Sequence, residues 1–170
     1  MVVAANHYSH LDPVVVGAAI GRPLRFLAVD ELYGNSSFFD HLTTWLGAIP
    51  MPRETIPLAA MRLCLEELAE GGSVGLFPEG VRVWRWGEVR PKRGAAWLAH
   101  KAGVPLVPVA VAGTGEAMGR STGRISRKPI RVHVCEPVLP GATVSDDPVG
   151  EITELWRSSV DRALGSLYGS

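Results

Sequence analysis

Short apolar runs alternating with longer amphipathic stretches predict an α/β fold, a mostly parallel central sheet flanked by helices. Two observations carry this expectation. Val2–Ala5 (VVAA), Ser73–Phe77 (SVGLF) and the run PLVPVAVAG beginning at Pro105 are too short for helices, and their unbroken apolar character is that of strands covered on both faces. Segments of helical period lie between such runs, and strands separated by crossovers of that length pair in parallel.

The elements follow in order. The apolar start ends in Asn6-His7, and Asp12-Pro13 then opens a helix with the acid as N-cap and proline in its first turn. Arg25–Val29 (RFLAV) reads as the second strand. A turn from Asp30 to Ser37 leads into a helix capped by Ser36 or Ser37, with Phe38, Leu42, Trp45 and Leu46 on one face and Gly47 at its end. The extended piece AIPMPR closes on Arg53. Thr55 opens an amphipathic helix whose stripe is Leu58, Met61, Leu65 and Leu68, stopped by Gly71-Gly72. The strand at Ser73–Phe77 is broken by Pro78-Glu79-Gly80, and a basic loop of neither period runs on to Arg93. An alanine-rich helix spans Gly94 to Lys101, and the apolar strand from Pro105 follows. IRVHVCE (Ile130 to Glu136) alternates as a further strand. A final helix starts at Glu151 and turns Ile152, Leu155, Trp156, Ala163, Leu164 and Leu167 to the core.

At 170 residues, with 46% hydrophobic and 20% charged residues, the chain is expected to form a single domain over 1–170 with a sizeable core. Lys plus Arg equals Asp plus Glu at 17 each, so no global field draws in nucleic acid or an anionic surface, and local patches must carry any such affinity. Cys64 and Cys135 read as two buried thiols of a reducing compartment rather than a disulfide. No apolar run approaches the ~20 residues of a spanning helix.

His7 just beyond a strand's C-terminal end is placed for chemistry, because ligands of open α/β sheets bind at that edge. A carboxylate five residues on, Asp12, can fix the imidazole tautomer and raise its basicity, which makes a general base without a protein nucleophile. Read alone, the same residues also fit a helix cap and a turn histidine. H-x-x-H-x-D is not a metal-ligand spacing, and His41, His100 and His133 form no second cluster. GTGEAMG (Gly113 to Gly119), with Glu136 further on, has the outline of a dinucleotide turn. The glycines are followed by RSTGRISRKP, which has no apolar stripe for the helix that motif requires, so a glycine loop is the better reading.

Taken with three later blocks, the chain resembles the glycerolipid acyltransferase family, the relatives of 1-acylglycerol-3-phosphate acyltransferase. NHYSHLD is similar to its first block, which implies His7 and Asp12 as the catalytic pair. GAIPMPR is similar to the second and implies Arg53 as a substrate-binding residue. FPEGVR is similar to the third, implying Glu79, Gly80 and Arg82 at the glycerol phosphate, and VPLVPVAV, with Pro108, resembles the fourth. The resemblance implies a glycerol-3-phosphate acyltransferase-like fold and transfer of a fatty acyl group to lysophosphatidate or a related lysolipid. The donor would be acyl-CoA or acyl carrier protein thioester as co-substrate, with no bound cofactor and no metal. Val81 departs from the small hydroxyl residue usual in the third block. Relatives also carry a hydrophobic segment ahead of the first strand, where this chain begins.

The resemblance places the protein in the cytoplasm, peripheral at the inner membrane face. Trp84 and Trp86, among Arg82, Arg85, Arg90, Lys92 and Arg93, have the composition of a membrane-interface contact. A thioester hydrolase and a non-catalytic lipid-binding domain are the competing functions, since a base that activates an alcohol can activate water.

Overall fold

The computed structural model describes residues 1–29, 49–51, 58–118 and 126–169. The strands among them are β1 (Val2–Ala5), β2 (Arg25–Val29), β3 (Ile49–Met51), β4 (Val74–Leu76), β5 (Leu106–Ala112) and β6 (Arg131–Val134). They form a sheet in the order β3-β2-β4-β1-β5-β6. Every neighbouring pair is parallel except β5 and β6, which run antiparallel with Val109 opposite Val134 and Ala112 opposite Arg131.

The helices are α1 (Asp12–Ile20), α2 (Leu58–Ala69), α3 (Gly94–Ala102), the single turn α4 (Thr114–Ala117) and α5 (Pro148–Tyr168). The strand period of two divides the core between the faces of the sheet. Val2 and Ala4 of β1 and Leu106, Ala110 and Ala112 of β5 point toward α2, α3 and α5, where they meet Cys64, Leu98, Trp156 and Val160. Val3, Ala5, Val107, Val109 and Val111 point the other way, against Val16 of α1, Leu24 and Phe26. β5 is buried along its whole length because it is covered on both faces and paired on both edges.

Several sequence expectations shift. Asp12 is the first residue of α1 rather than its cap, which is Leu11 without a side-chain hydrogen bond. In α2, Cys64 is fully buried and Ala60 and Leu68 flank it, while Leu58 is exposed, so the core stripe is turned by part of a residue step from the leucines. α5 begins at Pro148, capped by Asp147, whose carboxylate accepts the Gly150 N–H at 3.0 Å. Its core face includes Val160, and Leu155 is exposed. The turn and helix expected from Asp30 to Gly47, the expected helix start at Thr55 and the substrate-binding assignment of Arg53 lie outside the described residues.

Candidate active site

β1 leaves the sheet at Ala5, and its next residue continues the ladder with a side chain. The buried amide of Asn6 donates to the Val111 carbonyl at 2.9 Å and accepts the Val111 N–H at 2.7 Å. One residue back, the Ala4 carbonyl accepts the indole N–H of Trp156 at 2.8 Å. The chain on which His7 is mounted is thus fixed from β5 and from α5.

The His7 imidazole lies face to face with Phe77, centroids 4.0 Å apart, and Phe26 stacks behind Phe77 at 5.6 Å. His7 Nδ1 lies 2.8 Å from Asp12 Oδ2. That same oxygen accepts the backbone N–H groups of Tyr8 and Ser9, both at 2.7 Å. This explains why Asp12 caps nothing: the loop offers its carboxylate three converging donors, a better site than a helix end that faces water. Asp12 is fully buried, and its carboxylate is met there by the N–H groups of the loop. It fixes Nδ1 as the protonated nitrogen and leaves Nε2 as the basic one.

Glu79 is a second carboxyl in a contrasting setting. It is 3% exposed, its Oε1 accepts the His7 N–H at a long 3.4 Å, and its Oε2 is buried without a hydrogen-bond partner among the described residues. Burial raises its pKa to about 7; its own N–H and that of His7 pull the other way, and Asp12 adds to the rise. Gly80 turns the chain with φ of +69°, and Val83 N–H donates to the His7 carbonyl at 2.8 Å, which stitches this loop to the histidine. Arg82 is half-buried and engaged with a neighbour. His7, Asp12, Glu79, Gly80 and Arg82 are therefore gathered on two adjoining loops at the C-terminal edge of β1 and β4.

The basic loop divides on inspection. Trp86 is partly buried: it meets Trp156 edge to face at 5.6 Å and donates its indole N–H to Asp161 at 2.9 Å, which sets it apart from Trp84. Trp84 is 69% exposed, with Val81 at 50%. Arg93 pairs with Asp147, whose carboxyl is held below its usual range by the Gly150 amide and by Arg93. A cavity of about 200 Å³ opens beside the His7 loop between Tyr8, Val83, Trp84, Gly115, Glu116 and Tyr168. Burial, and a hydrogen bond with Tyr168, keep the Tyr8 hydroxyl protonated. Cys64 is held as a thiol by burial, its pKa pushed up to about 12, and has no role in chemistry.

Asn6 and Phe77 are parts of the site that sequence reasoning missed. Their signal is adjacency: one precedes the histidine, the other precedes the Pro78-Glu79 turn.

The family model described as Acyltransferase matches residues 1–112, a span that takes in both loops. The chain belongs to the acyltransferase family. It is 30% identical over 143 residues to a chloroplastic 1-acyl-sn-glycerol-3-phosphate acyltransferase of Brassica napus, covering 81% of this chain and 40% of that protein. It is 32% identical over 113 residues to the 1-acyl-sn-glycerol-3-phosphate acyltransferase of Bacillus subtilis, covering 66% of this chain and 55% of that one. The crystal structure of the 1-acyl-sn-glycerophosphate acyltransferase PlsC from Thermotoga maritima superposes with a TM-score of 0.75 at 24% identity. That match covers 96% of this chain and 66% of the other, and it shows that the acyltransferase fold is shared. The chain spans about two fifths to a little over half of the length of these two curated relatives.

Proposed function

We propose that this acyltransferase moves a fatty acyl group from an acyl thioester to a hydroxyl of lysophosphatidate or a related lysolipid, with His7 as general base and Asp12 as its partner. The observation that carries the reading is the 2.8 Å contact between His7 Nδ1 and a carboxylate that is fully buried and braced by two backbone amides. His7 Nε2 accepts the proton of the acceptor hydroxyl as its oxygen bonds to the thioester carbonyl carbon. The imidazolium that forms is stabilised by Asp12. Collapse of the tetrahedral intermediate breaks the carbon–sulfur bond, and the departing thiolate recovers the proton from His7. No acyl-enzyme is needed. General base assistance contributes typically ~10²–10⁴ in rate, with positioning of the acceptor supplying much of the rest.

Arg82, and Arg53, take the acceptor phosphate, because a guanidinium binds phosphate bidentately at full charge. Glu79 and Gly80 form the floor of that acceptor site. Acyl-CoA or acyl carrier protein supplies the thioester. Docking on an anionic lipid surface falls to Trp84 and Val81 with the exposed Arg85 and Arg90, apolar side chains at the headgroup level beside cations. The location is then the cytoplasmic face of a membrane; no helix among the described residues is long and apolar enough to cross one.

The test is mass spectrometry of products formed from mixed acyl thioesters and a panel of lysolipids. Acylated lysophosphatidate is expected. Thioester consumption that yields only free fatty acid, at the same rate with and without acceptor, would make the protein a hydrolase.

A further inference from the structure

Lys92 lies outside every block that marks the family in this sequence, yet the fold carries it back to the third of them. The loop that leaves β4 returns so that the Lys92 N–H donates to the Pro78 carbonyl at 2.7 Å. Its side chain then runs across Gly80. A methyl group built on the Gly80 Cα would lie 2.9 Å from Lys92 Nζ and 3.0 Å from its Cε. Gly80 is favoured by its left-handed backbone at φ +69°, and the lysine stem lies where its side chain would be.

The ammonium is thereby laid beside Gly80 in the Glu79–Arg82 segment, on a residue that stays exposed. No carboxylate among the described residues forms an ion pair with it. Glu88, the acid of the same loop, accepts the backbone N–H groups of Trp84 and Arg85 instead, at 2.8 and 3.3 Å. Arg93, the next cation along, is committed to Asp147. The loop so separates its basic residues by task, and Lys92 is the one turned back onto the acceptor site.

We propose that Lys92 is a substrate-binding residue, a cation that contacts the phosphate of the acyl acceptor beside Arg82. This rests on the acyltransferase reading given above. A phosphate monoester carries up to two negative charges at neutral pH and has three terminal oxygens, more than one guanidinium satisfies. A lysine is the fitting partner, since its ammonium serves as a mobile point charge next to the planar arginine fork.

The experiment is steady-state kinetics of Lys92→Met, Lys92→Arg and Arg82→Ala with a short-chain lysophosphatidate presented as monomer, without vesicles, and with a phosphate-free monoacylglycerol as second acceptor. Lys92→Met is expected to raise KM for lysophosphatidate about tenfold or more, the size of one charge-assisted contact. KM for the thioester and the rate with monoacylglycerol should stay put, and Lys92→Arg should restore most of the loss. An unchanged lysophosphatidate KM in Lys92→Met, alongside a raised one in Arg82→Ala, overturns the role of Lys92 and leaves the acyltransferase reading standing. An effect confined to vesicle-borne substrate would make Lys92 a membrane contact and equally overturns it. Failure of the unaltered protein to acylate any phosphate-bearing acceptor removes the reading itself, and the inference with it.

Discussion

The loop from Asn6 to Leu11 and the loop from Val81 to Arg93 leave the same edge of the sheet, but one is turned inward and the other outward. In the first, Asn6, Ser9 and the following Asp12 are buried at 1% exposure or less, and each makes hydrogen bonds to backbone groups. In the second, Val81, Trp84 and Val89 are exposed, and its acid holds the loop's own amides. The first has one geometry because the Asn6 amide, the Ser9 hydroxyl and Asp12 Oδ2 each bond backbone groups that define it. The second holds its backbone just as firmly through Val83 to His7 and Lys92 to Pro78, yet leaves Val81, Trp84 and Val89 exposed. The proposed general base calls for the first arrangement, and the proposed lipid contact for the second.

The contrast is broken most severely at the inward loop. His7→Ala should lower kcat by ~10²–10⁴ and leave the melting temperature nearly unchanged, because the imidazole covers Phe77 without being enclosed. Asp12→Ala should lose comparable activity and also unfold more easily, by about 3 kcal/mol or more, since it strands two buried backbone amides as well as the histidine. Calorimetry alongside kinetics separates the two. If Asp12→Ala matches the unaltered protein in stability, the inward wiring has been overvalued.

Glu79, where the two loops meet, gives a subtler test. Its pKa is raised from 4.5 to about 7, so at pH 4 both folded and unfolded chains hold the proton and no penalty arises. Between those values the unfolded chain has released the proton while the folded one keeps it, and stability falls as pH rises. The accumulated cost above pH 7 is about 3 kcal/mol at 1.36 per pK unit. Denaturant titrations of Glu79→Gln should therefore show it gaining stability relative to the unaltered protein by roughly this amount from pH 4 to 8. A constant difference would mean that Glu79 ionises normally in the fold.

The smallest effect belongs to the outward loop. Trp84→Ala should reduce flotation with anionic vesicles at low salt several-fold, in line with contributions of about 1 kcal/mol per interfacial group, and leave turnover of a monomeric acceptor unchanged. Trp86→Ala should instead reduce stability, since it empties the contact with Trp156. Equal flotation of Trp84→Ala and the unaltered protein would remove this loop from membrane contact.

Much of this contrast was legible in the sequence, for physical reasons that also mark its limit. Buried strands announce themselves, since a run covered on both faces has no position for a polar residue, and β1 and β5 match their apolar runs. The His7–Asp12 pairing was readable because both ends lie within one loop. Only the cap role also expected of the acid is absent, since cap preference weighs the helix it precedes and not the Tyr8 and Ser9 N–H groups four and three residues behind it. Leu58 and Leu155 were assigned to the core by periodicity, but sheet contacts decide which arc of a helix is covered, and they select Cys64 and Val160. Composition likewise could not separate Trp84 from Trp86, because what separates them is Trp156 and Asp161, some seventy residues away.

The position of β1 has a consequence for assembly. It precedes the other described strands in the sequence, yet it lies between β4 and β5, with Val2 paired to Val74 on one side and to Leu106 on the other. Its end is tied further to Trp156. The segment bearing the histidine takes its strand partners from chain about seventy and about a hundred residues further on, and closure of such distant pairings is slow. A histidine and an aspartate only five positions apart are thus mounted on a strand held by long-range contacts. Local opening of the final helix would disarm the pair without touching either residue, so loss of turnover during mild heating should report the release of that helix before the sheet itself comes apart.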